Sequence, residues 1–305
     1  DISGNTIQVA AGSSGTCIIF MSTVAQTSVV GNNLRAVGAG GEGLNVTTSA
    51  IDCVFSNNMV DVVTGVGSGF DINAASDVVV SGNQINTDTG TGILFPTTAG
   101  YPNVSGNIIH TTNGDGIHVT GIMTDGVFSG NEVKIDAGAD HGLRFGASAA
   151  RGTISGNHVY VSTGNALFFE GTVGACAITG NHLNGDFGIN ADGALDEVTI
   201  VGNAINAATD GMEFAAAATL TDCVISNNTI DAGSGRGIDA NGAVTTCAVV
   251  GNVIEAPIGI DFVSTTATTI SGNVVDIGVS TADCMNLGTA LRSTVSNNSL
   301  RGTGL

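Results

Sequence analysis

Apolar and polar residues alternate with a period of two along the chain, and the alternation breaks every few residues at Gly, Asn, Asp or Ser. This pattern predicts short, half-buried strands, and no stretch sustains the 3.6-residue spacing of an amphipathic helix. A motif of Ser, Thr or Val, then Gly or Asn, then Asn marks the breaks, as in Ser81-Gly82-Asn83, Ser129-Gly130-Asn131 and Ser226-Asn227-Asn228. Its final Asn falls at Asn5, Asn32, Asn58, Asn83, Asn107, Asn131, Asn157, Asn181, Asn203, Asn228, Asn252, Asn273 and Asn298, a repeat of about 24 residues with steps of 21 to 27. Self-similarity at such a period is the signature of a solenoid.

Three strands can be marked in each repeat. One follows the Asn, as in Val133-Lys134-Ile135. A second opens on a small residue, as in Gly116-Ile117-His118-Val119 and Gly142-Leu143-Arg144-Phe145. The third leads into the next Gly-Asn, as in Thr153-Ile154-Ser155. Gly and Asn tolerate the left-handed backbone that a tight turn requires. Three short strands cannot bury a face alone, but stacked coil on coil they form parallel sheets around one core. The prediction is an all-β, right-handed, single-stranded parallel β-helix of about 12 coils spanning residues 1–305 as one solenoid. At ~4.8 Å per coil its length is roughly 58 Å.

With these repeats the chain resembles the pectate-lyase-like superfamily of β-helix proteins, which includes tailspikes and polysaccharide lyases. The resemblance implies three sheets, with the thirteen Asn stacked as a ladder in the short turn between the second and third. It also implies that the Gly-Ile-x-Val strands form the first sheet, whose outer face carries substrate. Fold alone does not assign chemistry, since lyases, hydrolases, epimerases and inert fibres share it. No strict catalytic signature of pectinases or alginate epimerases is intact.

Composition narrows the partners. Seven Lys+Arg against 26 Asp+Glu give a formal net charge of −19, which argues against nucleic acid and against an anionic membrane surface. Apolar runs are interrupted before 18 residues, so no membrane-spanning helix is predicted. Cys53, Cys176, Cys223 and Cys247 share one column five residues before their Asn, while Cys17 and Cys284 open first-sheet strands. Parallel neighbours in a ladder suit disulfide closure poorly, so buried free thiols are expected. With neither end carrying an amphipathic cap, the chain reads as a section of a larger chain or assembly, with a homo-oligomer as the expected state.

The outward column of the first sheet runs Ile19, Asn45, Asp71, Leu94, His118, Arg144, Phe168, Asn190, Glu213, Asp239, Asp261 and Asn286. His118 and Arg144 occupy adjacent coils, and the residue before each strand's Gly adds Asp115 and His141. Across the longer turn, His110, Lys134 and Tyr160 form the outward column of the strand after the Asn. This clustering reads as a carbohydrate site. His118, His141, Asp115 and Arg144 are the catalytic candidates, and His110, Lys134, Tyr160 and Phe168 the substrate-binding ones. Arg and Lys would hold a carboxylate or sulfate, the aromatic rings would stack on sugars, and a His or carboxylate would move a proton.

A second segment places Glu213, Asp239 and Asp261 on consecutive coils, with Asp231, Glu255 and Asp276 in a parallel column. Like charges ~4.8 Å apart repel by about 3.5 kcal/mol at an effective dielectric of 20 and should raise pKa values or recruit cations. Calcium on Glu213, Asp239 and Asp261 is the one cofactor candidate, none being required, and glycoside hydrolysis by paired carboxylates is the sharper alternative. The function expected is binding, and degradation by lyase or hydrolase chemistry, of a polysaccharide at an extracellular or virion surface. The rival is a non-catalytic fibre or adhesin segment, favoured by the absence of long insertions that would wall a cleft.

Overall fold

The structure, a computed structural model, describes residues 1–10, 15–278 and 282–302. Every regular element among the described residues is a β-strand. One coil illustrates all of them. Asn103–Ser105 leads into the Gly106-Asn107 turn, Ile108–Thr111 follows, and Ile117–Val119 comes after the longer turn. Each strand pairs in parallel with its counterpart one coil on: Asn103 with Val127, Ile108 with Glu132 and Ile117 with Leu143. Repetition builds sheets of 13, 13 and 22 strands. The chain is a parallel β-helix.

The 22-stranded first sheet holds a segment that the alternation does not reveal. After Ile117–Val119 comes Met123–Thr124, which pairs with Ala149–Ala150 of the next coil. Two residues are too few to show a period, and the left-handed position of the turn that follows is not a glycine. Its left-handed position is taken by Asp125, Arg151 and Ala175 in successive coils, with φ of 54°, 53° and 50°.

Inward side chains form one continuous core, with Phe55, Phe95, Phe128, Phe145, Phe169, Phe214 and Phe262 fully buried. Phe145 stacks on Phe169 with ring centroids 5.1 Å apart and meets Phe128 edge-on at 5.2 Å. The Asn ladder satisfies the polar groups at the buried corner. Asn131 Nδ2 donates to Asn157 Oδ1 and to the Val104 carbonyl, both at 2.9 Å, while its Oδ1 accepts from Asn107 N and Nδ2 at 3.1 and 2.9 Å. A buried amide with all these partners is stabilising, whereas an orphaned one is costly. The small residue opening each first-sheet strand is a packing requirement. A Cβ at Gly116 would lie 2.2 Å from Val133 Cγ1 and 2.6 Å from the Gly142 carbonyl oxygen. All six cysteines are free, with Cys53, Cys176, Cys223 and Cys247 buried in their shared column.

Candidate functional site

The outward column of the first sheet is sunk rather than displayed. Residues Asn45 to Asp261 on it are half-buried, and Asp239 is fully buried. Side chains stacked on neighbouring coils thus shield one another's polar groups from water without long insertions.

At its centre Asp115 gathers three donors. Its side chain is only 6% exposed; Oδ2 lies 3.0 Å from His118 Nδ1 and 3.3 Å from an Arg144 guanidinium nitrogen, and Oδ1 accepts the His141 main-chain N–H at 2.8 Å. Burial alone would push the Asp115 carboxyl up, but the hydrogen bonds from His118 and His141 N–H, with the charges of His118 and Arg144, hold it below the usual range. The pairing directs the Nδ1 proton of His118 to Asp115 and leaves Nε2 as the acceptor nitrogen, with Thr120 Oγ1 3.4 Å away. An imidazole fixed in this way can accept a proton at Nε2 and return it.

Arg144 is not free to meet an anion. Its Nε donates to Glu170 Oε1 at 2.5 Å, a second nitrogen contacts the same oxygen, and a third reaches Asp115. Burial lowers the affinity of Arg144 for its proton, but the Glu170 and Asp115 carboxylates more than offset this and raise its pKa. His141 packs its ring against Phe168, centroids 4.7 Å apart, and its Nδ1 accepts the Asn165 N–H at 3.4 Å. Burial depresses the His141 pKa, so at neutral pH this ring is uncharged. Phe168 thus has one ring face against His141.

The 13-stranded sheet that holds Ile108–Thr111, on the strands after each ladder Asn, is the third sheet, and its outward residues form a separate row. His110 pairs with Lys134, and Lys134 with Tyr160, along the third-sheet strands. Asp136 binds both side chains, Oδ2 2.6 Å from His110 Nε2 and Oδ1 2.7 Å from Lys134 Nζ. The Lys134 and His110 contacts hold the Asp136 carboxyl low. Tyr160 is 44% exposed and, with Glu132, Lys134 and His158, lines a hollow of about 220 Å³. Among the described residues no hydrogen bond, ion pair or ring contact joins this row to Asp115. The residues expected to converge across the longer turn therefore divide between two faces.

The carboxylate column also has a partner that the sequence reading overlooked. Arg236 Nε binds Asp261 Oδ2 at 2.8 Å and its guanidinium reaches Asp239 Oδ2 at 3.4 Å, while Asn241 Nδ2 donates to Asp239 at 2.9 Å. Burial raises the Asp239 pKa in spite of Arg236, and burial with the Asp210 and Asp239 charges raises that of Glu213. Among the described residues no three His, Cys, Asp or Glu side chains converge as a metal site. Arg236 thus contacts both Asp239 and Asp261.

Arg236 and Glu170 both had a signal. Arg236 precedes Gly237, the position from which Asp115 and His141 were chosen, and Glu170 is two residues beyond Phe168, on the same side of the strand. At the other end Glu42 accepts from Asn45 Nδ2 at 2.6 Å and from Thr16 Oγ1 at 3.1 Å. Burial and the charge of Glu42 push Asp71 up to about 6.

No protein-family model matches the sequence. No curated protein matches it either. Among solved structures, the Dettilon tailspike protein is similar over 92% of this chain and 61% of its own, at 15% identity and a TM-score of 0.43. The periplasmic alginate epimerase AlgG is similar over 95% of this chain and 79% of its own, at 11% identity and a TM-score of 0.32. The DFA-IIIase of Arthrobacter chlorophenolicus is similar over 97% of this chain and 73% of its own, at 12% identity and a TM-score of 0.32. The chain thus spans under two thirds of the tailspike's length. These are likenesses of architecture, and no residue is transferred from them.

Proposed function

We propose that the chain is a polysaccharide-binding β-helix whose ligand lies along the first-sheet face, with the Asp115–His118 pair as its proton-transfer group. The observation that supports this most is the 3.0 Å contact between a nearly buried carboxylate and His118 Nδ1, on a face that also presents Phe168. A buried carboxylate beneath a histidine is costly to maintain for rigidity alone, and it fixes the tautomer that proton transfer requires. Sugar rings lie flat along a row of side chains spaced ~4.8 Å apart, a spacing near one ring per coil. Proton transfer at a glycosidic oxygen or a ring carbon is the chemistry that His118 Nε2 can supply.

Arg144 paired with Glu170 and Asp115 acts in this proposal as a positioning residue that holds Asp115 ionised, rather than as the anchor of a uronate. Tyr160, Lys134 and His110 on the third sheet then serve as a secondary contact row. An extracellular or virion-surface location, and a homo-oligomer or larger assembly, belong to the same proposal. Incubation with a panel of polysaccharides, followed by gel retardation and by chromatography of polymer size, tests the proposal. Retardation lost in Phe168→Ala and shortening lost in His118→Gln are expected. Retention of both effects in both variants would remove the site, and no effect with any polymer would favour the structural-fibre reading.

A further inference from the structure

Three buried side-chain atoms have no hydrogen-bond partner among the described residues: Asn45 Oδ1, Asp71 Oδ1 and Asn190 Oδ1. All three are acceptors, and all three lie on the outward column of the first sheet. The register runs unbroken from Asn45 through Asp71, Leu94, His118, Arg144 and Phe168 to Asn190. The orphans thus flank the Asp115–His118 centre on both sides.

The two asparagines are held by the same device. Asn45 Nδ2 donates to Glu42 Oε2 at 2.6 Å, and Asn190 Nδ2 donates to Glu213 Oε2 at 3.2 Å. A carboxylate only accepts, so each Glu fixes the amide with its NH₂ turned away and its carbonyl oxygen unspent. Each orphan oxygen is itself buried, but each belongs to a half-exposed residue of the outward face. Native proteins rarely leave such acceptors unmade. Donors are what would satisfy them.

The field selects the kind of donor. Among the described residues of this face, Asp115 pairs with His118 and Arg144, Glu170 with Arg144, and Asp239 and Asp261 with Arg236, so both arginines are already engaged while Glu42, Asp71 and Glu213 have no ion-pair partner. A carboxylate or sulfate on the ligand would bring no donor and would meet this negative face. We infer that the face takes an uncharged, hydroxyl-rich glycan, whose O–H groups donate to Asn45 and Asp71 at one end and to Asn190 at the other. From Asp71 to Asn190 is five coils, roughly 24 Å at ~4.8 Å each. The ligand is thus a chain of several sugars, not a monosaccharide.

This inference rests on the polysaccharide reading of the same face, and the test separates the two. The full chain is run by affinity electrophoresis through gels containing dextran, a β-glucan or galactomannan, and in parallel through polygalacturonate, alginate or dextran sulfate. Retardation by a neutral polymer, weakened at least tenfold in Asn190→Leu and in Asn45→Leu, is expected. Leu removes an unsatisfied buried acceptor, so a urea midpoint no lower than that of the parent chain shows that the loss is not misfolding. If an anionic polymer retards the chain more than any neutral one, the inference falls while the polysaccharide reading stands. If both Leu variants bind the neutral polymer as the parent does, the end contacts are wrong. If no polymer of either kind retards the chain, both readings fall.

Discussion

Asp115→Ala is the perturbation whose cost the geometry defines best. The substitution removes a carboxylate that is 6% exposed and accepts from the His141 main-chain N–H, His118 Nδ1 and Arg144. Each buried donor left without an acceptor costs about 1–3 kcal/mol, and His118 and His141 N–H are two such donors. Arg144 keeps Glu170 and contributes little further. Loss of the carboxylate's own burial penalty offsets part of the total, leaving a net destabilisation of ~2–4 kcal/mol at pH 7. The sign with pH follows from the depressed Asp115 pKa. Its stabilisation is full above the unfolded carboxylate value of 3.8 and is lost as pH falls through the lower folded value. Equilibrium urea unfolding of parent and variant at pH 7 and below pH 3 measures the difference. A gap of this size at pH 7 that shrinks in acid is expected. A gap under about 0.5 kcal/mol at pH 7, or one that does not change with pH, would refute the contacts assigned to Asp115.

Other positions give independent expectations. Asn131→Ala removes an acceptor and a donor that engage Asn107, Val104 and Asn157 and should cost about 3–5 kcal/mol, whereas the exposed ladder end Asn5→Ala should cost under ~1 kcal/mol, both read from urea midpoints. For Asp71, raised from 3.8 to about 6, stability is full below pH 3.8 and is lost as pH rises through about 6, so Asp71→Asn should stabilise by ~1 kcal/mol at neutral pH and by nothing at pH 3.5, the partial exposure of the group having screened the larger figure. Arg236→Ala leaves Asp239 and Asp261 unpaired and should destabilise by about 2–4 kcal/mol at pH 7, with partial rescue by millimolar Ca²⁺ in thermal unfolding.

The β-helix could be read from the chain because its physics repeats. Thirteen ladder Asn, an inward apolar column and an obligatory small residue before each first-sheet strand recur at every coil. Met123–Thr124 and its counterparts could not, since two residues between turns show no alternation and Arg151 or Ala175 at φ near 50° announces no turn. His118, Arg144 and Phe168 came from counting one outward column across coils, and Asp115 and His141 from the position before each strand's Gly. What the counting missed was longer reach. Arg144 reaches Glu170 and Arg236 reaches Asp261 across to the neighbouring coil, while Asp136 meets Lys134 two residues away on its own strand. His110, Lys134 and Tyr160 were expected across the longer turn from His118, and they lie on a different sheet, a distance that one-dimensional spacing does not encode.

A crystal structure of the chain with an oligosaccharide cut from whichever polymer retards it tests the central claim most directly. The account predicts sugar density along the first sheet between Asn45 and Asn190, with a ring over Phe168 and a sugar oxygen at hydrogen-bond distance from His118 Nε2. Sugar bound only on the third-sheet row of His110, Lys134 and Tyr160, with the first-sheet face empty, would contradict it.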